Sequence, residues 1–460
     1  MVAVIWSTSA WGGSQLAIPK PTDPLKPAPP LPPLERSVLN LEVTLPAQEL
    51  ALAVDEAFPA VAAREDDWND AGKLADRDNF RFLYRLVRGP FQYLMDHDRF
   101  EVRFNQIRYR IWARMNRQDR VIEGRCGHGE DPPKGLNLVT RSELSWSETW
   151  RVRTSTTFSQ PVFVEPCKLD ELGDATPLLH TVLAPRLELL AQNIDKTIRE
   201  RTEAKKRAET VWRQLQEPIE LAPNQWLQFN PRDARATPIT SYGTMLLRTS
   251  INLVMEPKIL NGDKPATAEL PLPPLQLAPL TLDGFHLALP MVVDYERINR
   301  QLQKDMVGQV FDAPIGDDLK VVGVQLYGSG DKLILALSVT GGANGTLYAM
   351  GTPVVDADRR TLRFINLDFT VDTRNVLVQS ANWMLHEQML SNLESQATID
   401  LSEPIDRLRS RLTTAMRGEL APGAHLEGAV TALHPRGIYP TTGGVAIHLV
   451  ADGFMRLELR

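Results

Sequence analysis

The chain has 460 residues, 43% of them apolar and 23% charged, with a formal net charge of −6. That length gives room for two or three domains, and the weak acidic balance excludes a broad nucleic-acid surface, which needs a clear basic excess. No run reaches the ~18 apolar residues of a membrane-spanning helix, so no transmembrane span is expected.

The opening MVAVIWSTSAW holds a short apolar patch with no Lys or Arg before it. It reads either as the end of an incomplete export signal or as a plain tail. Residues 19–34, PKPTDPLKPAPPLPPL, are too rich in Pro for a helix or a central strand and form an extended polyproline-type arm. Such an arm is a passive linker, a spacer or a docking segment for a partner.

The arm ends in PLPPL, and the same pentapeptide returns at 271–275. The stretches after the two copies are alike. After the first comes the alternating stretch 38–43, then Pro46, then Leu50, Val54 and Phe58 on one helical face. After the second come Leu280, Leu282 and Phe285, then Pro290, then Ile298, Leu302 and Met306 at the same spacing. Residues 64–95 have no counterpart; they are charged and irregular and read as an insertion in the first half.

Strand-like segments rich in Val, Ile, Thr, Trp and Phe come next at 100–115, 136–152 and 154–164, and in the second half at 319–326, 332–340, 346–350 and 361–371. Gly328-Ser329-Gly330-Asp331 and Asp356-Ala357-Asp358 have the composition of hairpin turns. Each half then carries a long helical stripe. In the first, Leu183, Leu187, Leu190, Ile194 and Ile198 recur at steps of three or four, and the helix runs on through the charged 199–207 to Val211, Trp212 and Leu215. In the second, Leu385, Met389 and Leu393 begin a stripe that Leu401, Ile405, Leu408, Leu412 and Met416 continue, with Pro404 breaking or restarting the helix. Closing strands are expected at 226–229 and 245–254, and at 426–433 and 444–450. Gly243 and Gly443 each precede a last strand.

The expected fold class is therefore α+β: two tandem repeats, each a long helix with an antiparallel sheet. The divisions are a tail and arm at 1–35, a first repeat at 36–262 with its insertion near 64–95, a Pro-rich linker at 263–276 and a second repeat at 277–460. A fully packed core would produce these helical stripes, and so would an apolar groove.

Only two Cys are present, Cys126 and Cys167, each at the end of a strand-like segment. They form one disulfide if the protein is exported, or remain two thiols in a reducing compartment. With His128 alone nearby they make no zinc site. No catalytic motif stands out. Gly341-Gly342-Ala343-Asn344-Gly345 lacks the Lys-Ser/Thr of a phosphate loop, and neither GxSxG nor HExxH occurs. His425, His434 and His448 are spread over separate strand segments, and Asp66 and Asp67 sit in the expected loop beside Trp68. Trp146, Trp150, Trp212, Trp226 and Trp383 read as packing residues. Arg199, Arg201, Lys205, Lys206 and Arg207 alternate with Glu200, Glu203 and Glu209, the pattern of a salt-bridged helix face, with anionic lipid headgroups as the other reading. The expectation is a protein that is not an enzyme and needs no metal or cofactor.

The order of elements resembles the tubular lipid-binding superfamily, which includes bactericidal/permeability-increasing protein. More specifically, SVLNLEVTLPAQEL (37–50), LSWSETWRV (144–152), PVFVEPCKL (161–169), AETVWRQLQEPIEL (208–221) and GTLYAMGTPVVD (345–356) resemble the bacterial family known as domain of unknown function 4403. The resemblance covers roughly 36–460. It implies a long helix in the concave side of a strongly curved sheet, with lipid or another hydrophobic ligand between them. The contacts are then expected from Leu187, Ile194 and Ile198 in the first half and Leu401, Leu408 and Leu412 in the second. It also implies residence in the periplasm or cell envelope, carriage of lipid or a structural role in an envelope complex, and an envelope protein as the arm's partner.

Overall fold

The computed structural model describes residues 18–65, 67–74, 77–117, 120–267, 269–278, 284–311, 318–341, 344–373 and 398–459. It is α+β and mostly strand. Leu280, Leu282, Trp383, Leu385, Met389 and Leu393 lie outside the described residues.

Both halves of the chain contribute to a central twelve-stranded sheet. In the first half Ser37–Pro46 pairs antiparallel with Leu246–Met255. In the second, Phe285–Asp294 pairs antiparallel with Gly444–Leu459. A short antiparallel pairing, Val38 with His286 and Leu39 with Phe285, joins the halves, as do two parallel pairings that mirror each other. The first strand of the first half lies beside the last strand of the second, with Leu41 opposite Met455. The last strand of the first half, Lys258–Asn261, lies beside the first strand of the second, with Ile259 opposite Met291. The sequence Glu-Leu-Ala-Pro occurs at 220–223 and again at 419–422. Each copy enters a hairpin with the same register shift, between Glu220 and Ala222 and between Glu419 and Ala421. Each turns on a residue in the left-handed region, Asn224 (φ 58°) or Gly423 (φ 74°), the residue types that adopt it most readily.

An end sheet extends each half: nine strands between Val61 and Phe163, and six between Val310 and Asp400. The expected hairpins at 328–331 and 356–358 join strands of the second. Residues 64–95, expected to be irregular, instead supply strands of the first, among them Gly72–Leu74, Arg77–Arg88 and Gln92–Asp96. Their charge misleads, because the strand alternates. Phe80 and Phe82 are buried, while Arg85 on the alternate face ion-pairs with Glu65 (3.2 Å).

Five α-helices are described. α1 (Gln48–Ala57) buries Leu50, Val54 and small Ala residues, so α2 (Thr176–Arg201) can approach closely. Arg88, 7% exposed, closes the end of α1. Its Nε donates to Phe58 O (2.6 Å) and its Nη2 to Asp55 Oδ1 (2.6 Å), meeting the carbonyl end of the helix with a cation. Asp195 fastens α2 to the end sheet by accepting hydrogen bonds from the Thr154 and Thr156 hydroxyls, both 2.6 Å. The expected continuous helix is interrupted. α2 stops at Arg201, Glu203 adopts φ 43°, and α3 begins as Ala204–Gln216. α4 (Tyr295–Met306) leans on the strand Leu319–Ser329, where the Asn299 amide exchanges hydrogen bonds with Leu326 N and O. α5 (Ser402–Ala415) carries Pro404 in its first turn, where no helical N–H bond is lost, so this Pro starts the helix and does not break it.

Two large cores result. One lies between the first end sheet, α1 and α2. The other lies on the central sheet, beneath both α3 and α5. Cys126 and Cys167 sit fully buried in the first core and form a disulfide, with Cα atoms 5.6 Å apart.

The arm lies along the protein's own second end sheet. Ile18 is buried among Tyr327, Ile334 and Tyr348. Tyr327 donates its hydroxyl to Pro19 O (2.7 Å), and Gly330 N donates to Lys26 O (3.0 Å). At the root of the arm Glu35 meets His286 (2.9 Å), whose other ring nitrogen meets Asp452 (2.8 Å); Arg436 also faces Glu35 (3.4 Å). Burial disfavours a charged His286 ring, but the hydrogen bonds to Asp452 and Glu35 outweigh it and raise its pKa.

Both the disulfide and the arm root can be tested. Denatured, unreduced protein should show no free thiol, and Cys126→Ala with Cys167→Ala should lower the unfolding free energy by roughly 2–5 kcal/mol, measured by denaturant melts. Two titratable thiols would contradict this. At the arm root, a raised folded pKa means that the His286 contribution is complete below the ordinary imidazole range, ~6.5, and is lost as pH rises through the folded value. Hydrogen exchange at Ser37 and Ala288 should therefore quicken with rising pH beyond its intrinsic rate, and His286→Gln should remove that extra dependence. Equal profiles in the two proteins would contradict the clasp.

Candidate functional site

An apolar concavity lies at the seam between the two cores, under the break between α2 and α3. Alternation in the central sheet makes its floor. Leu41, Val43 and Leu45 project from one strand, and opposite them stand Ile251, Thr249 and Leu247. α3 forms the roof with Ala204, Ala208, Val211 and Leu215, spaced by four, three and four so that they share one face. The small side chains of Ala204 and Ala208 stand nearest the break and leave room beneath it.

Three tryptophans shape the walls, and each has its ring nitrogen hydrogen-bonded within the protein. Trp146 Nε1 donates to Thr249 Oγ1 (3.2 Å), Trp150 Nε1 to Pro273 O (2.6 Å) and Trp212 Nε1 to Leu270 O (2.9 Å). Trp150 sits at φ 61° in a turn closed by Ser147 N donating to Arg151 O (2.9 Å). The second PLPPL segment is therefore bound down as a strap. Gln216 fixes Leu270 by two hydrogen bonds, and Leu272 joins the lining. The first PLPPL leaves Leu31 and Leu34 exposed, so the shared pentapeptide has two different environments.

The cavity volume is about 120 Å³, below the ~300 Å³ usual for a ligand pocket. The whole concavity, with its open mouth, is about 1040 Å³. Its lining is almost wholly apolar. The charged residues in it are Arg207 and Arg248, and no carboxylate lines it. Arg248 lies over the Tyr242 ring (4.9 Å) with Glu42 at 3.9 Å.

None of the six groove residues expected from the helical stripes lines this concavity. Ile194 and Ile198 are fully buried in the first core, with Leu187 packed beside them. Leu412 is fully buried in the second core, with Leu401 and Leu408 partly buried around it. A smaller apolar hollow borders α2 at Leu179, Val182 and Leu183. Of the roof residues, Val211 and Leu215 stood in the sequence as the far end of the first stripe, and Ala204 and Ala208 carried no such mark. Lys205 was the sign of the break, since it occupies the step after Thr202 where an apolar residue would continue the stripe.

The other candidates do not come together as sites. Among the described residues no group of three His, Cys, Asp or Glu could hold a metal, and no helix is long and apolar enough to cross a membrane. Asp67 accepts a hydrogen bond from Asn69 N (2.8 Å) as a turn cap. His448 is buried against Tyr439, and burial lowers its pKa. Cys126 is in the disulfide, and burial, with Arg110 and Arg125 nearby, lowers the pKa of His128.

No protein with a curated description matches the chain. Among solved structures it is similar to a lipopolysaccharide binding protein at 10% identity, covering 93% of this chain and all of that one, with a TM-score of 0.25. It is also similar to P47 of Clostridium botulinum E1 at 8% identity, covering 92% of this chain and 99% of that one, with a TM-score of 0.23. Residues 35–459 match a single family model, and the chain is thereby a member of the domain of unknown function family DUF4403.

Proposed function

We propose that this protein binds or carries a lipid, or another hydrophobic ligand, without catalysing a reaction, in the seam between α3 and the central sheet. The observation that carries the reading is an open-mouthed slot floored, roofed and walled by apolar side chains. Each methylene moved from water into such a slot gains about 0.8 kcal/mol. A narrow enclosed volume suits an extended acyl chain better than a bulky ring system. The buried disulfide supports an oxidising compartment such as the periplasm or cell envelope.

The reading also treats the chain as two copies of one unit. The mirrored parallel pairings and the Glu-Leu-Ala-Pro hairpins in equivalent places support this. A structural role in an envelope complex remains the competing reading. It draws on the closed packing around Ile194, Ile198 and Leu412. The arm's engagement with its own second end sheet favours the lipid reading over docking through residues 18–26.

Native mass spectrometry of the protein from its source, with solvent extraction of what it holds, tests the proposal. Bound amphiphile is expected at up to one per chain. Ala208→Trp, which places an indole in the slot from a half-buried helix position, should reduce it at least tenfold while circular dichroism is unchanged. Ala204→Phe serves as a second block. Ligand-free protein, or the same occupancy in both variants, would refute the assignment of this slot.

A further inference from the structure

Resting on that reading of the slot, we infer that its ligand is an anionic amphiphile, whose phosphate or carboxylate head is held at the α2–α3 break by Arg207 with Arg199 and Arg151. The cause is an imbalance of charge at the mouth. Both charged residues in the lining are arginines. A polar cavity of about 410 Å³ meets the apolar slot at Ala204, which borders both. Around it stand Arg151, Arg199, Lys205 and Lys206, with Glu200, Glu203 and Glu209.

The carboxylates there already have partners. Glu203 takes Lys206 (3.3 Å), Glu209 takes Lys205 (3.6 Å) and Glu200 faces Lys196 (3.9 Å). Arg151, Arg199 and Arg207 form no ion pair among the described residues. Three guanidiniums therefore border the point where the apolar slot gives way to a polar one, while the three carboxylates there are each paired with a lysine. Arg207 is half-buried at the slot's rim, where lower dielectric strengthens its field. Guanidinium presents a planar fork that suits phosphate and carboxylate oxygens. A chain seated in the apolar part would carry its head into this polar part. A neutral head would leave the charges as they are, and a cationic head would add to them.

The full-length protein can be tested with three probes that share one oleoyl chain, each below its micellar concentration: lysophosphatidic acid, lysophosphatidylcholine and monoacylglycerol. Inorganic phosphate alone is the fourth probe. Calorimetry or native mass spectrometry should show lysophosphatidic acid binding at least tenfold more tightly than monoacylglycerol. That preference should shrink as salt rises, since the mouth is open to solvent. Arg207→Gln should cut the preference to within about threefold, Arg207→Lys should keep part of it, and Ala208→Trp should block every acyl probe. Equal affinity for the anionic and neutral probes, or a preference that survives Arg207→Gln, would overturn the headgroup assignment while leaving the lipid reading standing. Phosphate alone binding as tightly as lysophosphatidic acid would make this a free-anion site and overturn the assignment too. Failure of all three acyl probes would overturn the lipid reading beneath it.

Discussion

One stretch of chain, from Thr176 to Gln216, has to cover two apolar surfaces, and no straight helix can lie on both. α2 seals the first core with Ile194 and Ile198. α3 seals the second with Trp212 and Leu215. The left-handed residue Glu203 makes the change of direction between them. A non-glycine residue in that region carries strain, and it persists only where the surroundings fix it. Here they do so from both sides: Asp195 ties α2 to the end sheet, and the Leu270 backbone ties α3 to the linker. The seam under the break is where neither helix fully covers the sheet. The slot is thus a consequence of how two cores are joined.

That origin explains why the slot is apolar, narrow and open at one end. Its floor is ordinary sheet core, built by the same alternation that buries Leu39 farther along the strand. Its roof is set back by two alanines at the start of α3. A bulkier residue at either position would convert the seam into closed core. The cost of leaving it open is lost dispersion contact, which an acyl chain would restore. The charges gather at the same end because the helical break exposes the turn around Glu203, and charged side chains there remain in water.

Much of this was legible in the sequence. Alternation located the long strands such as Arg99–Arg117 and Lys134–Trp146, and the shared pentapeptide drew attention to the two halves. The pairing of Cys126 with Cys167 was open, conditional on export, and the structure forms it. The helical stripes marked residues that would be buried, yet periodicity cannot separate a sealed face from a groove, so Ile194 and Leu412 proved to be core. Residues 64–95 were misread because ion-paired arginines on the outer face of a strand look like loop when composition is weighed without alternation. The break at Glu203 had only a faint signature, and the φ of Trp150 had none. The break is held by tertiary contacts on both sides, and the Trp150 turn by its ring nitrogen's bond to Pro273 as well as its own local hydrogen bonds.

Three tryptophans in the slot allow the central claim to be tested by proximity. An acyl chain brominated along its length quenches indole fluorescence only at contact range. The account predicts that such chains quench a large part of the emission at one chain per protein. Replacing Trp146, Trp150 and Trp212 together by Phe should remove that quenching while Trp226 and the remaining tryptophans still emit. Quenching that persists unchanged in the triple variant would place the chain elsewhere and contradict the seam as the binding site.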